Sequence, residues 1–150
     1  MVERCSEKAG VGSSILPLGT TFMKILFLCV ENAGRSQMAE VFARRLAPPG
    51  VEVFSAGSRP AKEVHPVVAE ALLEVGLDIR HHRPKGLDAL PAGGLDLVVG
   101  MGCGDACAVV PAKRTIAWEI ANPKDQPLEA VRRIRDEVEA NVRALLKELA

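Results

Sequence analysis

The chain has 150 residues, 48% of them hydrophobic and 25% charged, and its 19 basic and 19 acidic side chains leave no formal net charge. That length suits one domain burying about two-thirds of its unfolded surface without disulfide or metal staples. The balanced charge lacks the basic footprint of a nucleic-acid binder, and no apolar run approaches the roughly 20 residues of a spanning helix, so neither nucleic acid nor a membrane is an expected partner. Cys5, Cys29, Cys103 and Cys107 are too few for a secreted disulfide framework and suit a reducing, cytoplasmic setting with reactive thiols.

Residues 1–22 show no helical or strand periodicity and carry Glu3, Glu7 and Lys8 where a signal peptide would be apolar. They read as a disordered extension or, preferably, a mis-assigned start before Met23, which leaves 23–150 as the domain. "KILFL" (24–28) has the length and continuity of a buried strand, and "RSQMAEVFARRLA" (35–47) sets Met38, Val41, Phe42 and Leu46 on one helical face. "VEVFSAG" (51–57) alternates as a second strand, and "HPVVAEALLEVG" (65–76) gives a helix with Val68, Ala71, Leu72 and Val75 inward and Gly76 as its stop. "LDLVVGM" (95–101) reads as a strand buried on both faces, and "KRTIAWEI" (113–120) as a fourth strand. From Pro127 onward, Leu128, Val131, Ile134, Val138, Val142, Leu145 and Leu149 recur every three or four residues, as in a long amphipathic helix. Strands alternating with helices predict an α/β sandwich with a mainly parallel sheet.

The chemistry concentrates in "CVENAGRS" (29–36), at the junction of the first strand and first helix. Ligands of open parallel sheets bind where strands end and helices begin, so Cys29 is expected to face the crevice. Val30, Glu31, Asn32, Ala33 and Gly34 can turn their N–H groups inward as an anion nest, and Arg35 can grip two oxygens of the bound anion. Ser36 can donate to the sulfur, and a thiol in such surroundings is expected to serve as a nucleophile at neutral pH.

These residues resemble the phosphate-binding loop of the low-molecular-weight tyrosine phosphatase superfamily, and 23–150 is similar to its thioredoxin-coupled arsenate reductase branch. The resemblance rests on "ILFLCVENAGRSQMAE", "SAG", "GLDI", "DLVVGMGCGDAC", a tryptophan followed by "NP", and "RRIRDEV". It implies a three-layer α/β/α sandwich with a four-stranded sheet and flavodoxin-like winding. It implies Cys29 as nucleophile, Arg35 as oxyanion clamp, Asn32 as the brace of the loop and Ser36 as thiolate donor. It also implies a relay. Cys29 attacks arsenate, Cys103 attacks the Cys29 sulfur and releases arsenite, and Cys107 attacks Cys103 to leave a disulfide for thioredoxin or a similar thiol reductant. No metal or cofactor is called for.

A phosphatase needs one thiol and a reductase several, so the extra pair favours reduction over ester hydrolysis. Residues four apart on a helix have Cα atoms roughly 6 Å apart, within disulfide range, and Gly100, Gly102 and Gly104 can supply local freedom. Inert thiols, or a zinc site with His81 and His82, are the competing readings of Cys103 and Cys107. A phosphatase and a non-catalytic oxyanion binder are the alternatives for the whole chain.

Two departures from the family bear on substrate. The aspartate that normally precedes the proline of the mobile loop is Asn122, which cannot donate a proton; Asp125 and Asp105 are the candidate substitutes. The chain has no tyrosine, and Lys124 and Asp125 follow Pro123 where an aryl ester would want aromatics. Some reductases of this branch bind potassium near the loop; Asn32, Glu40 and Ser55 match its ligands, and Lys85 takes the place of the remaining acidic one. His65 reads as a helix-start residue, His81 and His82 as a solvated turn, "RRIRDE" as a wet helix face and Trp118 as core.

Overall fold

The computed structural model describes residues 23–90, 94–101 and 110–149. Cys5, Gly102, Cys103, Gly104, Asp105 and Cys107 lie outside the described residues, as do 1–22. Strands β1 (Met23–Cys29), β2 (Val51–Gly57), β3 (Leu95–Met101) and β4 (Ala112–Trp118) alternate with helices α1 (Arg35–Leu46), α2 (Pro66–Leu73) and α3 (Leu128–Leu149). The sheet is parallel throughout, in the order β2-β1-β3-β4. The chain leaves β1 toward β2 on one side and returns to β3 on the other. This reversal opens a crevice beyond the carboxyl end of β1, where Cys29 is the last strand residue.

Sequence dictates the two faces. Side chains alternate along a strand, so Ile25, Phe27 and Cys29 share one cluster with Met38, Phe42, Val68, Leu72, Val138 and Val142 of the three helices. Leu26 and Leu28 face the other way, onto Ala56, Leu95 and Val98, with Leu87 and Leu90 packed alongside. A 3₁₀ turn, Leu87–Ala89, lies between those last two contacts. Ile25, Leu26 and Phe27 are inaccessible to solvent, and burial of each such side chain stabilises the fold by about 1.5–3 kcal/mol. β1 is one of the two interior strands, which fixes the position of Cys29. Trp118 closes the end of β4 against Phe27, with ring centroids 5.8 Å apart.

The helices end as their residues dictate. Gly76, at φ 86°, terminates the second helical segment, and His65 stands at the N-cap of α2 with Pro66 at the first helical position. Arg135 departs from the wet face expected of "RRIRDE". It is buried against the end of α2, where its Nη1 donates to the Ala71 carbonyl at 2.8 Å and pairs with Glu74 at 2.9 Å. The exposed carbonyl end of a helix attracts a cation, and this takes Arg135 out of solvent. His82 is likewise no solvated residue: it is half-buried, and its Nδ1 lies 3.2 Å from Gln37 Oε1.

Asp96 ties the amino ends of three strands. Its carboxylate accepts from the Lys24 N–H at 2.8 Å and pairs with Lys113 at 3.2 Å. These contacts, the Lys24 N–H first, hold its carboxyl below the usual aspartate range. The folded value lies below the unfolded one, so this stabilisation is present above the unfolded pKa and is lost as pH falls through the lowered folded value. Asp96→Asn is therefore expected to lower stability at pH 7 but to converge with wild type in strong acid, as read by urea unfolding across pH.

Candidate active site

The loop 30–34 between β1 and α1 is shaped by the segment that follows β2. Ser58 N donates to the Cys29 carbonyl, Arg59 N to Val30, Ala61 N to Glu31 and His65 N to Ala33, at 2.8–3.3 Å. A trans peptide carries its N–H opposite its carbonyl, so drawing these carbonyls outward turns the following N–H groups inward. The Asn32 N–H shows the result, donating to Cys29 Sγ at 3.2 Å. Gly34 caps α1 without a side-chain hydrogen bond, leaving the first-turn N–H groups of the helix for an anion.

Asn32 sits at φ 53°, a left-handed conformation that asparagine tolerates better than most residues. Its side chain is held by a chain of hydrogen bonds that ends at the Cys29 sulfur. The Lys85 N–H donates to Asn32 Oδ1 at 2.7 Å and Gln37 Nε2 to the same atom at 3.0 Å, which makes that atom the oxygen. Asn32 Nδ2 therefore faces Ser36 Oγ, donating at 2.7 Å. The Ser36 hydroxyl lies 2.8 Å from Cys29 Sγ, where either atom can be the donor. Two polar groups, the Ser36 hydroxyl and the Asn32 N–H, thus sit against the buried sulfur. Behind this network, Gln37 presents Oε1 to His82, which fixes the proton on Nδ1; desolvation is the leading cause that holds the His82 pKa below its ordinary value.

Above the sulfur is a cavity of 220 Å³ lined by Cys29, Val30, Glu31, Ala33, Gly34, Arg35, His65, Asn122 and Lys124. Arg35 is buried, and its Nη1 donates to the Ile120 carbonyl at 3.0 Å, which anchors one arm of the guanidinium on the cavity wall. Asn122 Oδ1 accepts from the Lys124 N–H, and Lys124 Nζ reaches Glu31 Oε2 at 3.4 Å. Asp125 does not line the cavity. Ser55 Oγ donates to the buried Glu40 carboxylate, and Lys85 Nζ lies 3.1 Å from the same oxygen. An ammonium thus stands among the residues matching the potassium ligands. Among the described residues, no three metal-ligating side chains converge, and no helix is long and apolar enough to cross a membrane.

A match to the low molecular weight phosphotyrosine protein phosphatase model covers residues 24–150. The chain belongs to this phosphatase family. The chain is also similar to the glutaredoxin arsenate reductase of Synechocystis, 32% identical over 131 residues, 85% of this chain and 98% of that one. A thioredoxin-dependent arsenate reductase of Corynebacterium glutamicum is 40% identical with a TM-score of 0.69, covering 88% of this chain and 63% of that one. An arsenate reductase in its phosphate-binding state is 30% identical with a TM-score of 0.75, covering 86% of this chain and all of that one.

The sequence-predicted residues Cys29 to Ser36 meet in this phosphatase-family loop, and Asn122 joins them; Cys103 and Cys107 fall outside the described residues. Sequence reasoning missed Gln37, His82, Gly57 and the cavity role of His65. Gly57 ends β2 and is set opposite Cys29 by parallel pairing, which the sequence does not display. A Cβ there would lie 2.4 Å from the Val30 carbonyl oxygen and 2.9 Å from Asn32 N, both backbone atoms of the loop. Gly57→Ala is expected to displace the loop and lower kcat/KM about 10²-fold, with far-UV circular dichroism unchanged.

Proposed function

We propose that the protein is an arsenate reductase, in which Cys29 attacks arsenate bound by the loop 30–35 and Cys103 and Cys107 complete a thiol relay. The observation that carries this reading is a buried thiol, held by Ser36 and the Asn32 N–H, under a small cavity whose described lining includes Arg35 and Lys124 and no phenylalanine, tyrosine or tryptophan. Such a cavity suits an inorganic tetrahedral oxyanion.

In the first step the Cys29 sulfur bonds to arsenic, an As–O bond breaks, and the departing oxygen leaves as water after taking a proton; arsenic stays pentavalent. In the second, the Cys103 sulfur attacks Cys29, the S–As electron pair passes to arsenic, and trivalent arsenite leaves. In the third, Cys107 attacks Cys103, Cys29 departs as thiolate, and the Cys103–Cys107 disulfide awaits a thioredoxin-like or glutaredoxin-like dithiol in a reducing compartment such as the cytoplasm. Domain 23–150 carries all these thiols; residues 1–22 have no part in the relay.

Family membership also favours a phosphatase reading, in which Cys29 acts alone on a phosphate ester. Asn122 weighs against it, because an ester leaving group depends on the missing acid. The test is a stoichiometric one on the reduced protein, mixed with arsenate in excess. Formation of one arsenite per two thiols lost supports reduction; cleavage of an aryl phosphate with no thiol loss on arsenate supports the phosphatase. With the Lys85 ammonium beside Glu40, exchanging KCl for NaCl at constant ionic strength is expected to leave turnover unchanged.

A further inference from the structure

The first step needs a proton for the departing oxygen, and Asn122 cannot give one. Asp125, at φ 61° and exposed, is not among the cavity residues, so the described lining holds no aspartate. It does hold His65, brought there by its own N–H, which donates to the Ala33 carbonyl at 3.0 Å. The ring lies against Gly34, with Cδ2 3.5 Å from where a Cβ of that residue would sit, and the side chain is 18% exposed. Nε2 stands 3.5 Å from Glu31 Oε1, within ion-pair distance but longer than a hydrogen bond. A proton on Nε2 therefore has a carboxylate to balance its charge without a hydrogen bond that commits it, on a ring that lines the cavity. Lys124, 3.4 Å from the other Glu31 oxygen, limits how far that carboxylate can follow the ring.

We propose that His65 is the proton donor of the first step, filling the place left by Asn122. The proposal rests on the reductase reading above. The imidazolium passes its Nε2 proton to the oxygen that leaves arsenic, water departs, and the neutral ring is recharged from solvent. Among the described residues, Glu31, Cys29 and Arg35 of the loop and the start of α1, together with Lys124 beyond Asn122, are the charged or titratable groups that share the cavity with it.

The test uses the whole protein with enzyme in excess over arsenate, measuring arsenite released in one turnover across pH. Asparagine is a favoured N-cap, so His65→Asn keeps the start of α2. The wild-type rate is expected to carry a limb that falls with rising pH, the mark of a general acid. His65→Asn is expected to lose that falling limb and at least about 10²-fold in rate at neutral pH, with phosphate affinity little changed. Adding Asn122→Asp to His65→Asn is expected to recover at least about tenfold, which a merely structural histidine would not allow. If wild type releases arsenite and His65→Asn does so equally fast, or slowly with the pH profile intact and no recovery from Asn122→Asp, His65 is not the donor. If wild type releases no arsenite, the reductase reading fails and takes this step with it.

Discussion

Cys29→Ser is expected to abolish arsenate turnover, by at least about 10⁴-fold, while the protein still binds oxyanions. A serine hydroxyl is not ionised at neutral pH, and oxygen cannot form the disulfide through which the second step delivers an electron pair to arsenic. The binding surface survives because it is made elsewhere. The N–H groups of the loop are aimed by hydrogen bonds from Ser58, Arg59, Ala61 and His65 to backbone carbonyls, none of which involves the sulfur. Titration calorimetry with phosphate is expected to give a dissociation constant for Cys29→Ser close to that of wild type. Turnover persisting in this variant would remove Cys29 from the chemistry.

Arg35→Lys is expected to lower kcat/KM by on the order of 10²- to 10³-fold, despite keeping the charge. The guanidinium donates to the Ile120 carbonyl with one nitrogen and lines the cavity proposed for the anion. A planar fork can serve both at once. An ammonium is a single point on a flexible stem, and whichever partner it takes, the other is left without its donor in a buried place. Steady-state kinetics with arsenate, and calorimetry with phosphate, read the loss in rate and in affinity separately. A lysine variant with wild-type kinetics would show that Arg35 shapes the cavity wall without gripping the substrate.

How much of this was legible in the sequence depended on how local each feature is. The strand around Phe27, the helical face of Met38 and Phe42, and the stop at Gly76 are written in short periodicities, and the structure follows them. The cluster from Cys29 to Ser36 was equally plain, because its residues are contiguous and lie at a strand-to-helix junction. What escaped was non-local. Gly57 matters because parallel pairing sets it opposite Cys29, and nothing within "SAG" reports the carbonyl of Val30 pressing on it. Gln37 looked like one more polar helix residue, yet it holds both the carbonyl and the side-chain oxygen of Asn32. His65 read correctly as a helix start, but its place on the cavity wall follows from the way the chain after β2 strings its N–H groups along the loop. Arg135 was misjudged because a charged residue's burial is decided by a neighbouring helix end, which periodicity along α3 does not contain.

The relay is the central claim, and arsenate-dependent oxidation of NADPH, coupled through thioredoxin and its reductase, tests it most directly. Wild type is expected to cycle, and Cys29→Ser, Cys103→Ser and Cys107→Ser are each expected to stop the cycle. The Cys107→Ser protein should still release close to one equivalent of arsenite before stalling as the Cys29–Cys103 disulfide. Arsenate that leaves NADPH untouched with wild type, while an aryl phosphate is cleaved as fast by the Cys103 and Cys107 variants as by wild type, would contradict the relay and make the protein a one-thiol phosphatase.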